Sequence, residues 1–295
     1  ACGLLCAAST MRWRKGGIEL TEQGGSSCAR GHATGTHGTG DVRPGIMLLH
    51  GCMQSHHTWD TVRDALVTRG YDVVAPDFAG HGDAPAPHEA SAYTFDALVD
   101  ALVDVLDSAG LVQANIVGYS MGGRVAELFA TAHPERVASL VLESAGIGPS
   151  NEEGRDTLIA RDKGTAARLR DDGIEVFVDW WEELPIFVTQ RFLPDEIRAQ
   201  VRAERLAHDP EALALTVEAT GQHAMPDMRR AMNEARFPLL YLAGTDDAKY
   251  RAVAEELAAF GGIDVKLIEA GHDIHVENPD AFLRALTGYY DAQGL

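Results

Sequence analysis

The most informative segment of this 295-residue chain is Gly118-Tyr119-Ser120-Met121-Gly122, a G-x-S-x-G motif. It lies between a short apolar run at residues 115–117 and a helical pattern that begins at Gly123. This context predicts a sharp strand-to-helix turn that lifts the Ser120 hydroxyl clear of the backbone. The amino end of the following helix directs N–H groups and a partial positive charge at whatever binds above the serine.

Short apolar runs bounded by turn residues recur on both sides of this motif and predict buried parallel strands. They lie at residues 46–49, 71–75, 115–117, 139–142, 239–243 and 265–268. Amphipathic helical patterns alternate with them, at residues 59–67, 95–106, 124–132, 252–260 and 281–289. The alternation indicates an α/β fold, with a mostly parallel sheet covered by helices on both faces.

The alternation stops between residues 151 and 237, where the sequence is highly charged and helical in pattern. This segment has an unusual aromatic content for a surface insertion, with Trp180, Trp181, Phe187 and Phe192. We expect residues 151–237 to form a helical cap over the carboxyl end of the sheet. Residues 44–150 and 238–295 would then form the α/β core.

The first 43 residues differ in composition from the rest of the chain. Residues 13–20 predict one edge strand, whereas residues 21–40 are rich in Gly, Thr and Ser and have too few apolar side chains to offset the entropy of ordering. We therefore expect residues 1–43 to be a variable, partly flexible segment. His32 and His37 lie in it with only Cys28 as a possible further ligand, so no metal site is expected.

Net charge and cysteine usage exclude several classes of partner. The chain has 25 basic and 44 acidic residues, a formal net charge of −19, which disfavours binding to nucleic acid or to an anionic membrane surface. No uncharged stretch reaches the about 20 apolar residues of a membrane-spanning helix. The cysteines, Cys2, Cys6, Cys28 and Cys52, form no C-x-x-C pair, which predicts a reduced, cytoplasmic protein.

A serine hydroxyl becomes reactive only beside a base, and the base needs an acid to orient it. Asp247 follows the predicted strand at residues 239–243, and His272 follows the last predicted strand. The order Ser120, Asp247, His272 is the chain order of catalytic triads in the α/β-hydrolase fold. We therefore predict these three residues as the catalytic triad of an α/β-hydrolase-fold protein.

Other residues near these motifs are alternatives or have supporting roles. Asp246 and Glu143 are alternative acids, and Asp247 is favoured by its spacing from the glycine at the strand end. His275 is expected to support its loop or to touch substrate. The backbone N–H groups of Met121 and Cys52 are the predicted oxyanion donors, because Met121 directly follows Ser120 and Cys52 lies in a turn at the end of the first core strand that faces Ser120.

Six segments of the sequence resemble one family closely. They are LLHG at residues 48–51, GYSMGGR at 118–124, LESAGIG at 142–148, DWWEELPIF at 179–187, GTDDAKY at 244–250 and GHDIHVENP at 271–279. Together they make residues 44–290 similar to the 2-succinyl-6-hydroxy-2,4-cyclohexadiene-1-carboxylate synthases (MenH), the pyruvate-eliminating lyases of menaquinone biosynthesis. GYSMGGR and the GH-x-x-H-x-E-N-P pattern are the more specific parts, since G-x-S-x-G alone indicates only the hydrolase fold.

The resemblance implies a triad that abstracts a proton instead of transferring an acyl group. His272, oriented by Asp247, would deprotonate Ser120, and the alkoxide would remove the ring proton α to the succinyl ketone. The enolate oxygen would bind the amides of Cys52 and Met121 while pyruvate leaves. No metal or organic cofactor is implied, because the ketone of the substrate is the electron sink.

The family's substrate carries three carboxylates, and these require local cations because a chain of net charge −19 does not attract anions at long range. The resemblance implies that Arg124 and Arg205 bind this polycarboxylate substrate. Lys249 and Trp181 fall on motif positions near the site. Tyr119 either donates to a substrate carboxylate or only packs.

The sequence departs from the family at one substrate-binding position. The family has an E-x-R-x-x-R run after the segment at residues 142–148, and Leu158 stands where its second arginine belongs. Two outcomes are open: Arg155 or Arg161 replaces that arginine, or neither does, and the substrate then differs or binds with poor affinity.

Two other functions are compatible with the same residues. The first is a serine hydrolase of esters, or of carbon–carbon bonds in ring-fission diketones, with Ser120 as nucleophile or base. The second is a non-catalytic ligand receptor, which the presence of all three triad residues disfavours.

Overall fold

The chain divides into two units, residues 1–43 and residues 44–295. A computed structural model describes residues 45–295 and the backbone of residues 11–14 and 17–20. In the first unit, β1 (Met11–Arg14) and β2 (Gly17–Leu20) pair antiparallel. The prediction of one strand over residues 13–20 is therefore wrong, because the chain reverses within that segment. The predicted loop at residues 21–40, with His32 and His37, and the cysteines Cys2, Cys6 and Cys28 lie outside the described residues.

The second unit contains a six-stranded parallel sheet, as the sequence predicts. Its strands are β3 (Gly45–Leu49), β4 (Val73–Val74), β5 (Ala114–Tyr119), β6 (Val137–Glu143), β7 (Leu239–Gly244) and β8 (Asp264–Ile268). Their order across the sheet is β4-β3-β5-β6-β7-β8, and every neighbouring pair is parallel. The carboxyl ends of β5, β6 and β7 therefore meet at one edge of the sheet, where the predicted active-site residues follow them.

The two outer strands differ from the prediction. β4 has two residues where five were predicted, and β8 is partly exposed where a buried strand was predicted. An edge strand has a neighbour on one side only, so fewer of its side chains are covered. Leu267 on β8 is 46% exposed for this reason.

Helices cover both faces of the sheet. One face packs against α1 (Asp60–Thr68), the one-turn α9 (Ile274–Glu277) and α10 (Pro279–Gln293). The opposite face packs against α2 (Phe95–Ser108), α3 (Met121–Ala132) and α8 (Ala248–Ala258). Alternate residues of a strand point to opposite faces, so Ile46 and Leu48 of β3 contribute to one apolar cluster while Met47 and Leu49 contribute to the other. The core of the second unit is thus two apolar layers with the sheet between them.

Between β6 and β7, all regular secondary structure of the described chain is helical. It forms α4 (Glu152–Glu182), α5 (Asp195–Leu206), α6 (Pro210–Thr220) and α7 (Arg229–Asn233). Gly173 interrupts α4 with φ 77° and ψ 169°, a conformation that favours glycine and divides the element into two helices. The two halves therefore run in different directions. No helix of the described residues is long and apolar enough to cross a membrane.

Candidate active site

Ser120 lies at the turn between β5 and α3 with backbone angles of φ 49° and ψ −104°. Positive φ in a non-glycine residue is strained, and strain of this kind is typical of the G-x-S-x-G turn. A Cβ atom on Gly122 would lie 2.4 Å from the carbonyl oxygen of Leu49, so the first turn of α3 packs directly on the end of β3. The N–H of Ser120 donates to the carbonyl of Glu143 over 2.8 Å, which anchors the turn to β6.

The structure brings Ser120, His272 and Asp247 into one hydrogen-bonded chain. His272 Nε2 lies 3.1 Å from Ser120 Oγ, and His272 Nδ1 lies 2.6 Å from Asp247 Oδ2. The second oxygen of Asp247 accepts the N–H of Tyr250 over 3.2 Å, which fixes the carboxylate. These distances are those of a base within reach of a hydroxyl proton and an acid that orients the base.

The pKa of His272 is shifted in the direction that a general base requires. Burial lowers the pKa of His272 below its usual 6.5, while the hydrogen bond and charge of Asp247 oppose this effect. A lowered pKa leaves the imidazole neutral near pH 7, with a lone pair on Nε2 free to take a proton. Which nitrogen holds the proton follows from Asp247, because a carboxylate accepts from Nδ1–H.

The alternative acids do not contact His272. Asp246 is exposed, whereas Asp247 is 3% exposed. Glu143 accepts the N–H of His275 and lies 2.9 Å from Nδ1 of that ring. His275 is buried and is absent from the described cavity wall, so its place is in support of the histidine loop.

Cys52 and Met121 both line the cavity beside Ser120. Among the described residues no acceptor engages the backbone N–H of either one. Burial raises the pKa of the Cys52 thiol to about 11, so the thiol is uncharged and is a poor nucleophile at neutral pH. The role of the two amides as oxyanion donors stays a prediction.

A cavity of about 690 Å³ opens above Ser120 and His272. Its wall on one side consists of strand ends and the first turn of α3, and on the other side of α4, the segment at residues 184–187 and the end of α6. Trp180, Trp181 and Phe187 make part of this wall apolar. A concave site with an apolar wall and a few convergent polar groups is typical of small-molecule binding.

Four cationic side chains line the cavity, namely Arg124, Arg161, Arg168 and Lys249, and Asp162 is the one acid among its described lining residues. Arg161 pairs with Asp162 at 2.8 Å, and Arg168 lies 3.2 Å from Asp172. Arg124 and Lys249 pair with no carboxylate of the described residues. The cavity is therefore locally cationic in a chain whose net charge is −19.

The predicted substrate residues Tyr119, Trp181 and Lys249 also line the cavity. The Tyr119 ring lies 5.3 Å from the His272 ring. The indole Nε1 of Trp181 is buried without a hydrogen-bond partner, which leaves it a donor for a ligand. Lys249 Nζ lies 3.1 Å from the hydroxyl oxygen of Tyr250.

Arg205 does not line the cavity, contrary to the expectation that it binds substrate. It is 4% exposed, and its guanidinium donates to Glu182 and Gln190 at 3.1 and 2.7 Å. The ring of Phe187 separates it from His272, with centroids 5.0 Å from the guanidinium carbon and 5.6 Å from the imidazole. The cation thus lies on the far side of Phe187 from His272, where it lines a second cavity.

Arg155 also lies outside the cavity wall. Its guanidinium donates to the carbonyl oxygens of His223 and Met225 and so ties α4 to the segment after α6. Of the two arginines considered as replacements for the family arginine, the structure therefore brings Arg161, and not Arg155, to the cavity.

Sequence reasoning missed Arg168, Gln222 and Tyr250 as lining residues. The signal for Arg168 was present, because Arg161, Thr165 and Arg168 are spaced as residues on one face of a helix, and all three line the cavity. Gln222 and Tyr250 join each other over 3.2 Å across the site, a contact that no local pattern reveals.

Two clusters of described residues have the ligand types of a metal site, His56 with Asp77 and Asp83, and Glu143 with Asp273 and His275. Hydrogen bonds and ion pairs with histidine account for the proximity of these groups, including His56 Nδ1 to Asp77 at 2.8 Å and His275 Nδ1 to Asp273 at 3.1 Å. Neither cluster lies in the wall of the cavity.

Comparison with known proteins gives consistent results. The sequence pattern of the alpha/beta hydrolase fold family matches residues 44–279. A putative 2-succinyl-6-hydroxy-2,4-cyclohexadiene-1-carboxylate synthase of Bacillus subtilis (strain 168) is 33% identical over 239 residues, covering 80% of this chain and 86% of that protein. The 2-succinyl-6-hydroxy-2,4-cyclohexadiene-1-carboxylate synthase of Escherichia coli O1:K1 / APEC is 34% identical over 257 residues, covering 86% of this chain and 96% of that protein.

A solved structure shows the same similarity in three dimensions. MenH from S. aureus superposes with a TM-score of 0.80 and 32% sequence identity, covering 85% of this chain and 95% of that chain. The superposition extends over most of the chain and is not confined to the motif around Ser120.

Proposed function

This chain belongs to the 2-succinyl-6-hydroxy-2,4-cyclohexadiene-1-carboxylate synthase family of the α/β-hydrolase fold, and we propose that Ser120, His272 and Asp247 carry out its reaction. The reaction is the elimination of pyruvate from 2-succinyl-5-enolpyruvyl-6-hydroxy-3-cyclohexene-1-carboxylate in menaquinone biosynthesis. The protein is an enzyme, a carbon–oxygen lyase. Its substrate is a small polycarboxylate.

The first step is the loss of a ring proton. Neutral His272, held by Asp247 at 2.6 Å, takes the proton of Ser120 across 3.1 Å. The serine alkoxide then removes the ring proton α to the succinyl ketone, whose carbonyl becomes an enolate. The amides of Cys52 and Met121 stabilise the enolate oxygen, and each such donor contributes about 3 kcal/mol.

The second step is the loss of the leaving group. The enolate re-forms the ketone, the ring double bond shifts, and the carbon–oxygen bond to the enolpyruvyl group breaks. The leaving enolpyruvate takes up a proton to become pyruvate, so a diene ring and one pyruvate are formed for each substrate consumed. The proton that Ser120 removed balances the proton that pyruvate gains.

The single observation that supports this substrate is the charge of the cavity. Arg124, Arg161, Arg168 and Lys249 surround the triad with one opposing acid, Asp162, in a chain with 19 more acidic than basic residues. Bidentate guanidinium contacts are the strong way to hold a carboxylate, and Arg124 is not already paired with one. We propose Arg124, Arg161 and Arg168 as carboxylate ligands, with Tyr119, Trp181 and Lys249 as further contacts.

We also propose that residues 151–237 act as the cap of this site. Helix α4 and the end of α6 supply much of the cavity wall, and α4 contributes Arg161, Arg168, Trp180 and Trp181 to it. The cap would exclude water from the enolate, which strengthens the electrostatic contacts around it. A cytoplasmic location remains a prediction from cysteine usage.

The test couples pyruvate release to lactate dehydrogenase, with the enolpyruvyl compound as substrate. The same preparation is mixed with p-nitrophenyl esters to detect an acyl-enzyme burst. Release of one pyruvate per substrate without an ester burst supports the lyase. A burst with no pyruvate release contradicts it and favours the serine hydrolase.

A further inference from the structure

A second set of polar residues lies behind the triad and has no part in the proposed chemistry. The support network, as we define it, consists of Gln54, Glu143, Asp273 and His275. All four are nearly inaccessible, at 4%, 0%, 0% and 2% exposed. None of them is among the residues that line the cavity, so their contacts are with the protein and not with substrate.

Glu143 joins the serine turn to the histidine loop. Its backbone carbonyl accepts the N–H of Ser120 over 2.8 Å. Its carboxylate accepts the backbone N–H of His275 over 3.0 Å, and Oε2 lies 2.9 Å from Nδ1 of the same ring. One residue at the end of β6 therefore holds both the segment that carries Ser120 and the segment that carries His272.

Asp273 and Gln54 extend the network to the third part of the site. Gln54 Nε2 donates to Asp273 Oδ2 over 2.6 Å, and Gln54 Oε1 accepts the N–H of Gly51 over 3.1 Å. Asp273 directly follows His272, and Gly51 directly precedes Cys52. The histidine loop is thus linked to the turn that presents the predicted oxyanion amide.

The charges of the network favour a fixed arrangement. Burial alone would lower the pKa of His275, but the carboxylates of Glu143 and Asp273 raise it. Its ring stacks on Trp59 with centroids 3.8 Å apart, and Nε2 lies 2.8 Å from Thr58 Oγ1. Removing one member would leave another charged or polar group buried without a partner, which is costly.

We propose that the support network is a positioning device that holds Ser120, His272 and the Cys52 amide in register for the reaction. Its members do not touch substrate and act through the residues that do. This inference rests on the proposed function of the triad. Its consequence is that loss of a network contact lowers turnover while substrate affinity stays the same.

The test compares wild type with Glu143→Gln and Gln54→Leu. Glu127→Gln serves as the matched control, because Glu127 is also a buried glutamate, 1% exposed, and neither of its carboxylate oxygens has a hydrogen-bond partner. We expect both network variants to lower kcat about 10- to 100-fold, as small misplacements of catalytic groups do, with KM within about twofold of wild type. The control should stay within about twofold of wild type in both constants.

A kcat near the wild-type value in both network variants would overturn the inference. So would an equal loss of kcat in Glu127→Gln, because burial of any altered glutamate would then explain the effect. If Glu143→Gln does not fold by circular dichroism, Gln54→Leu decides the question alone, since it removes no charge.

A second readout separates this inference from the proposed function. The proton shared by His272 Nδ1 and Asp247 at 2.6 Å is expected to give a downfield proton NMR resonance. The network variants should shift or broaden this resonance, and Glu127→Gln should not. If wild type releases no pyruvate, the proposed function fails. The effect of the network variants on this resonance then still tests whether the support network positions His272. An unchanged resonance in both network variants would overturn it.

Discussion

Arg124 Nε donates to the carbonyl oxygen of Thr220 over 3.1 Å, beside the cavity. Arg124 lies one helical turn after Ser120 on α3, and Thr220 is the last residue of α6. The contact positions the guanidinium while leaving its terminal nitrogens without a carboxylate partner among the described residues. Burial lowers the pKa of Arg124 below its usual value, and a guanidinium still carries its charge at neutral pH.

Replacement of Arg124 should impair both binding and turnover. Arg124→Ala removes a charge-assisted contact to a substrate carboxylate, and we expect kcat/KM to fall 10- to 100-fold, which is equivalent to about 1.4–2.7 kcal/mol. Arg124→Lys keeps the charge but loses the planar fork, so it should recover only part of the loss. Steady-state pyruvate release measures both variants. Wild-type kinetics in Arg124→Ala would contradict the carboxylate contact.

Arg155 and Arg161 are the two candidates to replace the family arginine that is absent at Leu158, and their roles can be compared directly. Arg161 lines the cavity and Arg155 does not, although both lie on α4. We expect Arg161→Ala to raise KM several-fold, because it removes a cation from the substrate's surroundings, and Arg155→Ala to leave KM close to that of wild type. KM for the enolpyruvyl substrate is the measurement. The reverse ranking would show that Arg155 takes over the role of the missing arginine.

The dependence of kcat/KM on pH should report the base. Burial lowers the pKa of His272, so the imidazole stays neutral to below pH 6.5 and gains its inactivating proton only under more acidic conditions. We therefore expect the acid limb of kcat/KM to have an apparent pKa below 6.5. Circular dichroism over the same range checks that the protein stays folded. An acid limb above 6.5 would mean that another group is the base.

Glu127 should make stability depend on pH. Burial raises the pKa of Glu127 in the folded protein well above 4.5, its usual value in an unfolded chain. Between pH 4.5 and this raised pKa, the folded protein keeps a proton that the unfolded chain releases. The free energy of unfolding contributed by this residue therefore falls as pH rises above 4.5, by up to about 1.4 kcal/mol per pH unit. Glu127→Gln lacks this titration, so its stability relative to wild type should increase with pH.

Urea unfolding of both proteins at pH 5 and pH 8 measures this difference. A difference that is the same at the two pH values would mean that Glu127 is already ionised in the folded protein.

The sheet and the triad were predictable because local patterns determine them. The apolar runs and the order Ser120, Asp247, His272 identify strand ends that a parallel sheet must bring to one edge. Spacing alone favours Asp247 over Asp246, and in the structure Asp247 is buried and lies 2.6 Å from His272. The contact of the Glu143 carboxylate with His275 has no local signal in the sequence, because the two residues are 132 positions apart.

The direction of long cationic side chains in the helical segment was not predictable. Arg205 was expected at the substrate, but Glu182 and Gln190 hold it behind Phe187. Its direction depends on how α5 packs against the end of α4, where Glu182 lies. Tertiary contacts of this kind leave no periodic signal in the sequence.

The contact between Ser120 Oγ and His272 Nε2 is the centre of this account, and one measurement tests it most directly. Pyruvate release by Ser120→Ala is compared with that of wild type at saturating substrate, in protein shown to be folded. Because the alkoxide removes the ring proton, the account predicts a fall in kcat of about 1,000-fold or more, as expected when a residue of a catalytic triad is removed. A variant that retains a substantial part of the wild-type kcat would contradict it.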